Sequence, residues 1–385
     1  MKRLLLAVLV ACVGARPLAA TPTRMAPPNV ELVESAPLET TLDHPNIPNA
    51  ADVWLDMIRG ARSSIDLAEF YISDSPEGRL HAVIEDLLRA ADRGVRVRIL
   101  IEQIFYSKYP ETVDLLAAHE GIELRHFDLH ATMGGILHAK YFVVDNREAY
   151  VGSQNFDWRS LDHIQEMGVR LLDPALAADL DQLFSADWDV VGGAPVTRYK
   201  AMAKSSAAGS TYLGFSPTGY LGDEATWDLP ELLRWIDGAL KSLDIQVFTY
   251  KPAMRDGTPF VDLDDALRRA RARGVRVRLL VSSSGQKDVG LAALANAMMP
   301  PSEVRILTIP PYSKGDIPFA RLAHAKFAVF DGQRTWVGTS NWEGDYFKKS
   351  RNVSVFVTTQ PFAAEVAGVF EDDWSGAYST KLSSK

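Results

Sequence analysis

Cysteine is nearly absent from this chain: Cys12 is the only one among 385 residues. No intramolecular disulfide can form, and no cysteine-based metal site exists. A surplus of positive charge is missing too. Lys plus Arg number 41 against 49 Asp plus Glu, a formal charge of −8. That argues against gripping nucleic acid mainly by net charge and leaves room for a local basic groove. Beyond the N-terminal segment there is no apolar run of about 18 residues, the length a membrane-spanning helix needs. His126, His130 and His163 lack metal-ligand spacing and read as solvated or structural, so neither a metal nor a cofactor is expected.

What is present is a foldable composition. Apolar residues make up 47% and charged residues 23%, enough to bury a core and exclude disorder as the main state. At about 100–200 residues per domain the length implies two domains or two fused halves. Lys2, Arg3, the apolar run Leu4 to Val13 and the small residues Ala19 and Ala20 predict a signal peptide over residues 1–20. The expected product is secreted or periplasmic, with no integral membrane segment. A lipoprotein anchored at Cys12, after Leu9-Val10-Ala11, is the alternative. Residues 21–45 are rich in proline, poor in periodicity, and read as an extended lead-in.

The rest is duplicated. Ala90-Ala91-Asp92-Arg93-Gly94-Val95-Arg96-Val97-Arg98 returns as Ala270-Arg271-Ala272-Arg273-Gly274-Val275-Arg276-Val277-Arg278, and Ser64 to Phe70 is echoed by Ser242 to Phe248. In each copy helical periodicity (Ala51 to Ala61; Leu229 to Leu240) precedes a strand. A second helix then ends at a glycine suited to a left-handed cap, and another strand follows. The predicted fold is α/β. Two lobes, 46–190 and 217–380, each carry a mostly parallel mixed sheet flanked by helices, joined by a Gly/Ala/Ser/Thr-rich linker over 191–216. A functional site is expected at the pseudo-two-fold interface between them.

The chemistry lies in His138-Ala139-Lys140 with Asp145, repeated as His324-Ala325-Lys326 with Asp331. Asn155 and Asn341 each follow their histidine by 17 residues. Chance would supply such an H-x-K-x4-D match about 0.02 times in a chain of this composition. His and Lys two apart on a strand share a face, and a loop residue such as Ser153, Asn155, Ser340 or Asn341 can approach the same point. Two sets together make a pocket of two imidazoles, two ammonium groups and two carboxamides, which suits a phosphate. One imidazole can attack phosphorus while the other serves as acid and then base. Asp145 and Asp331 sit on the opposite strand face from the lysines and read as structural.

These paired motifs resemble the phospholipase D superfamily. Asn155-Phe156-Asp157-Trp158-Arg159-Ser160-Leu161, Gly338 to Phe347, and the Asp-Trp pairs at 187–188 and 373–374 are similar to its phospholipase D3 and D4 branch. The resemblance implies a metal-independent phosphodiesterase with a phosphohistidine intermediate and a 5′ exonuclease-like action on single-stranded nucleic acid. His138 would be nucleophile and His324 general acid/base, although the reverse assignment stays open. Lys140, Lys326, Asn155 and Asn341 would hold the phosphate, and Glu166 would orient a histidine. The corresponding place in the second half reads Ser350-Arg351-Asn352. Animal members carry disulfides that this chain cannot form, which puts their loop details in doubt here.

Tyr71, Tyr250, Tyr106 (within Phe105-Tyr106-Ser107-Lys108-Tyr109) and Lys314 are further candidates for substrate contact. Trp188 and Trp374 read as core. A secreted phospholipase D that cleaves or exchanges headgroups is the second functional reading, because the motif serves either substrate. A noncatalytic phosphate-binding protein is the third, disfavoured because neither motif has lost a histidine or lysine. Both halves lie in one chain, so a monomer is expected to suffice.

Overall fold

A computed structural model describes residues 29–202, 210–298 and 302–382. The expected signal peptide over 1–20, the anchoring alternative at Cys12 and the first part of the lead-in lie outside the described residues.

The first lobe is built from strands β1 (Val30–Ser35), β2 (Ser64–Glu69), β3 (Arg96–Glu102), β4 (Ile122–Phe127), β5 (Tyr141–Val144), β6 (Glu148–Gly152) and β7 (Glu166–Leu171), in the sheet order β1-β7-β6-β5-β2-β3-β4. Its helices are α1 (Ala50–Gly60), α2 (Arg79–Asp92) and α3 (Pro174–Val191). The second lobe repeats the plan with β8 (Thr211–Ser216), β9 (Ser242–Val247), β10 (Arg276–Ser282), β11 (Glu303–Leu307), β12 (Phe327–Phe330), β13 (Arg334–Gly338) and β14 (Asn352–Val357). A last strand, β15 (Ser379–Lys381), extends its edge, giving the order β8-β14-β13-β12-β9-β10-β11-β15. Its helices are α4 (Asp228–Asp237), α5 (Asp262–Ala272) and α6 (Gln360–Ser375).

The duplicated α/β plan is present, but its sheets are not mostly parallel. Parallel pairs join β2 to β3 and β3 to β4, and β9 to β10 and β10 to β11; the remaining neighbours in both sheets run antiparallel. The reason is local. Asp145 and Asn146 have φ of 55° and 51°, and the Arg147 N–H donates to the Val144 carbonyl. Asp331 and Gly332 repeat the arrangement at 55° and 67°. Successive positive φ values make the tight turn that closes a hairpin, so the two strands after each motif pair antiparallel.

Two boundaries also move. Residues 30–35, read as lead-in, form β1, and residues 211–216, read as linker, form β8. Val30 and Leu32 pack into one apolar cluster and Val33 into another. A strand covered on both faces shows no apolar–polar alternation, so its sequence carries no strand signature.

Helix α1 buries Ala50, Ala51 and large apolar residues at helical spacing, including Val53, Trp54, Met57 and Ile58. With α2 it covers one face of the first sheet, as α4 and α5 cover one face of the second. Helices α3 and α6 cover the other faces, and there Phe184 and Phe370 belong to one continuous cluster that spans the lobes. Each large apolar side chain buried in it contributes about 1.5–3 kcal/mol, so the cluster fixes one lobe against the other. Trp188 and Trp374 also flank Arg98 and Arg278, whose guanidinium carbons lie 5.4 and 5.3 Å from their rings. Among the described residues no helix is long and apolar enough to cross a membrane.

Candidate active site

The two motifs enter β5 and β12 from opposite lobes, and backbone contacts cross between them. The His138 N–H donates to the Arg351 carbonyl (3.0 Å), and the His324 N–H donates to the Gln165 carbonyl (2.8 Å). Gln165 and Arg351 precede the equivalent residues Glu166 and Asn352, which pair with Ser35 and Ser216 at matching ends of β1 and β8. The exchange continues through the side chains. Glu166 of the first lobe meets His324 Nδ1 of the second at 2.8 Å, and Asn352 of the second meets His138 Nδ1 of the first at 3.1 Å.

These unlike partners give the histidines unlike chemistry. The Asn352 amide nitrogen donates to the Tyr346 carbonyl (2.7 Å), while its oxygen accepts from Thr339 Oγ1 (2.9 Å). The oxygen therefore faces His138 as an acceptor, and Nδ1 of His138 carries the proton. A neutral His138 then presents an unshared pair on Nε2. Glu166, which also accepts from Ser160 Oγ at 3.2 Å, instead offers His324 a carboxyl that shares its proton.

Burial dominates the titration of the cluster. Desolvation, then the charges of Lys140 and Lys326, hold His138 well below the usual imidazole range. His324 is lowered by burial and the same two lysines. Burial raises Glu166 to about 8 against the pull of Lys326. It lowers Lys140 to about 7, although Glu69 and Glu166 oppose that shift. Lys326 is pushed down by burial as well. Lys140 Nζ donates to the His138 carbonyl at 2.6 Å, and Lys326 Nζ donates to the His324 carbonyl.

The histidines and Asn155 and Asn341 line a single cavity of about 290 Å³. His138 is 4% and His324 9% exposed, so both rings open only onto this space. The side-chain oxygens of both asparagines lack hydrogen-bond partners, so each keeps an unmet acceptor at the cavity wall. One wall is aromatic. Phe70 lies 4.1 Å from Phe105 between ring centroids, and Tyr71 stacks on Tyr109 at 5.1 Å. Across the mouth, Phe319 is 64% exposed with φ 63°, and Lys108 Nζ sits 4.1 Å from its centroid.

Asp145 accepts from the N–H groups of Arg62, Ser63 and Ser64, and Asp331 from those of Leu240, Lys241 and Ser242. Each carboxylate ties the hairpin to the start of the neighbouring strand, away from the cavity. The other candidates divide. Tyr71 lines the cavity and donates to Asp157 Oδ2 at 2.8 Å. Tyr250 is core, donating to Asp264 at 2.6 Å. Its true counterpart is Ile72, as the pairings of Ile72 with Phe156 and Tyr250 with Trp342 show. A one-residue offset along extended backbone turns a side chain to the other face. Tyr106 points outward to Asp114 (2.6 Å), because Phe105, Lys108 and Tyr109, at i, i+3 and i+4, take the cavity side. Ser153 is engaged with the Met167 backbone, and the buried Ser340 is not on the cavity lining. Lys314 lines a different cavity beside this one. Of the two readings of His163, solvated or structural, its burial between Trp158 and Tyr312 leaves the structural one.

Sequence reasoning missed Asn352 and Glu102. Asn352 stands opposite Glu166 in the repeat, and that alignment was the available signal. Glu102, raised to about 7 mainly by burial, accepts from the Leu137 and Ile104 N–H groups and braces the chain just before His138. No local pattern marks it.

Comparison with known proteins finds the same duplicated domain. A family model described as "Cardiolipin synthase, PLD-like domain" matches residues 54–188 and again 232–374. Phospholipase D Z of Dictyostelium discoideum is 31% identical over 384 residues, covering 91% of this chain and 90% of that protein. The human 5'-3' exonuclease PLD3 is 32% identical over 397 residues, covering 91% and 80%. The mouse 5'-3' exonuclease PLD4 is 30% identical over 400 residues, covering 91% and 79%. Among solved structures, a phosphatidylserine synthase of Haemophilus influenzae superposes with a TM-score of 0.62 at 12% identity, over 86% of this chain and 85% of its own; it shares the fold.

Proposed function

The chain belongs to the phospholipase D superfamily and is a phosphodiesterase, and on that footing we propose that it hydrolyses single-stranded nucleic acid from the 5′ end through a phosphohistidine, with no metal ion. His138 Nε2 attacks phosphorus, an N–P bond forms, and the bond to the leaving oxygen breaks as His324 donates its proton to that oxygen. His324 then takes a proton from water, the water oxygen attacks phosphorus, and the N–P bond breaks to restore His138. The neutral acceptor Asn352 supports the nucleophile assignment, since it favours an uncharged ring with Nε2 free. The Glu166 carboxyl on His324 supports the acid/base assignment, since it stabilises an imidazolium. Lys140, Lys326, Asn155 and Asn341 stabilise charge on the non-bridging oxygens.

The observation that carries the substrate reading is the wall beside His138. Phe105, Tyr109, Tyr71 and Phe319 with Lys108 combine ring faces for unpaired bases with a cation for the backbone. Relatives named 5'-3' exonuclease PLD3 and PLD4 point the same way. Phospholipid is the second reading, favoured by the exposed apolar ring of Phe319 and by the relative named Phospholipase D Z. One chain contributes both histidines to the cavity, which supports a monomer as sufficient, and the expected N-terminal leader supports export, as a secreted or periplasmic protein or as a lipoprotein anchored at Cys12.

Incubation in EDTA with single-stranded DNA, single-stranded RNA and phosphatidylcholine vesicles tests this reading. Nucleic-acid cleavage that survives the chelator is expected. Loss of all activity on chelation defeats the metal-free proposal, and lipid turnover without nucleic-acid cleavage moves the second reading to first.

The titration shifts predict an acidic profile for kcat/KM. The nucleophile must be unprotonated, and His138 is held well below 6.5, so the acid limb lies below that value. On the alkaline side, Lys140, lowered to about 7, loses its charge, and Glu166, raised to about 8, gives up the proton it shares with His324. Activity therefore falls from about pH 7 upward. Asn352→Asp shifts the acid limb upward, because a carboxylate on Nδ1 favours the protonated ring. A wild-type acid limb at 6.5 or above, or a variant limb that does not move, overturns this electrostatic account.

A further inference from the structure

A second cavity, of about 440 Å³, adjoins the catalytic one. We propose that it binds the next nucleotide along a single strand whose scissile phosphate lies between His138 and His324; the proposal rests on the nucleic-acid reading above.

Three features join the two spaces. The Arg159 guanidinium stands between them, 5.2 Å from the Tyr109 ring centroid on the catalytic side and 5.9 Å from Trp158 on the other. His163 lines the second cavity while its neighbour Ile164 lines the first, and Ile317 and Phe319 divide in the same way. The two cavities therefore lie side by side, with the buried Arg159 between their aromatic walls.

The lining suits a base and its phosphate. Trp158 and Tyr312 approach the His163 ring edge-on from two sides, at 5.4 and 4.7 Å. Lys314 is exposed and lies 5.9 Å from the Tyr312 centroid. Exposed lysine beside aromatic faces is the combination that tracks single-stranded nucleic acid. Two polar groups also await a partner. His163 is 5% exposed and its Nδ1 has no hydrogen bond, and the buried Nη2 of Arg159 has none. Leaving such groups unmet carries a desolvation cost that a ligand with acceptors recovers. The carboxylate of Asp162 on this lining is engaged by Arg79 at 2.6 Å, and Glu77 is exposed at the rim. Volumes of about 300–1,000 Å³ are usual for small-ligand sites.

Tyr312→Ala separates this subsite from the chemistry. Two substrates are compared: bis(p-nitrophenyl) phosphate, which occupies the catalytic cavity alone, and a single-stranded decanucleotide. Loss of one stacked base should raise KM for the decanucleotide about tenfold with little change in kcat, and leave the small ester unaffected. Tyr312→Trp, which keeps a stacking face, should restore KM. Lys314→Glu, at an exposed position that folding tolerates, should raise the decanucleotide KM and flatten its salt dependence. An unchanged decanucleotide KM in both Tyr312→Ala and Lys314→Glu overturns the subsite, as does an equal loss on both substrates. A wild-type enzyme that hydrolyses the small ester but not the decanucleotide defeats the nucleic-acid reading itself, a distinct result.

Discussion

His138→Ala abolishes turnover of every phosphodiester, with kcat falling by about four orders of magnitude or more, because no other side chain supplies the attacking atom. His324→Ala behaves differently according to the leaving group. An alkoxide leaving from a nucleotide needs a proton, so kcat on nucleic acid drops by about 10²–10⁴. A p-nitrophenolate needs none, so the variant still reacts once with bis(p-nitrophenyl) phosphate. It releases a burst of nitrophenol and then stalls, because water attack lacks its base. The stalled protein carries an acid-labile phosphoryl adduct on His138 that intact-mass measurement detects. A burst from His138→Ala with none from His324→Ala would reverse the two roles. No adduct in either variant would remove the covalent intermediate from the mechanism. Glu166→Gln is the milder companion, weakening His324 as a base without removing it, so its loss should fall well short of the alanine variant's.

Arg351→Met should cost about 3–5 kcal/mol of stability, the usual penalty for stranding one member of a fully buried ion pair. Arg351 and Asp187 are both 0% exposed at the side chain; the guanidinium reaches the carboxylate at 2.9 and 3.1 Å and also donates to the Ser216 carbonyl at 2.8 Å. Without it Asp187 keeps, among the described residues, the Tyr199 hydroxyl at 2.6 Å. Burial already raises Asp187 and Arg351 opposes that rise, so the substitution lifts its folded-state pKa further. A group raised in this way penalises folding once it must ionise. The deficit is therefore greatest near neutral pH and shrinks as the solution becomes acid. Arg351→Gln should be gentler. At the equivalent place in the other lobe Gln165 donates to Asp373 at 2.9 Å, so a carboxamide already fills this role once in the molecule. Arg351→Met combined with Asp187→Leu should recover much of the loss. Denaturant midpoints across acid and neutral pH provide the test; a deficit independent of pH, or none, would show that the pair is not what couples α3 to the strand behind His138.

The pair matters to the site because the Arg351 carbonyl receives the His138 N–H. The Asp-Trp segments are thus more than core. Asp187 on α3 reaches into the second lobe and Asp373 on α6 reaches into the first, each gripping the residue just before a histidine's partner.

Much of this was readable in the residues. A duplicated run ending in Gly94 and Gly274, where φ reaches 84° and 89°, carries its own helix stop, because few other residues enter that region. The histidines, lysines and asparagines recur at equal spacing, each His-x-Lys just before β5 or β12. Such inferences depend on neighbours in the chain, so composition and spacing suffice for them.

Contacts between distant segments are another matter. Glu166 serves the histidine 158 residues away and Asn352 the one 214 residues away. No periodicity encodes which lobe each side chain faces, and chemistry as different as a carboxyl and a carboxamide follows from that choice. The inward placing of β1 and β8 and the cavity beside Arg159 belong to the same class. Each arises when two sheets pack through α3 and α6 and the backbone directions of both lobes are settled together. Local preference names the reacting groups; long-range packing gives each its partner, its proton and its access to a ligand.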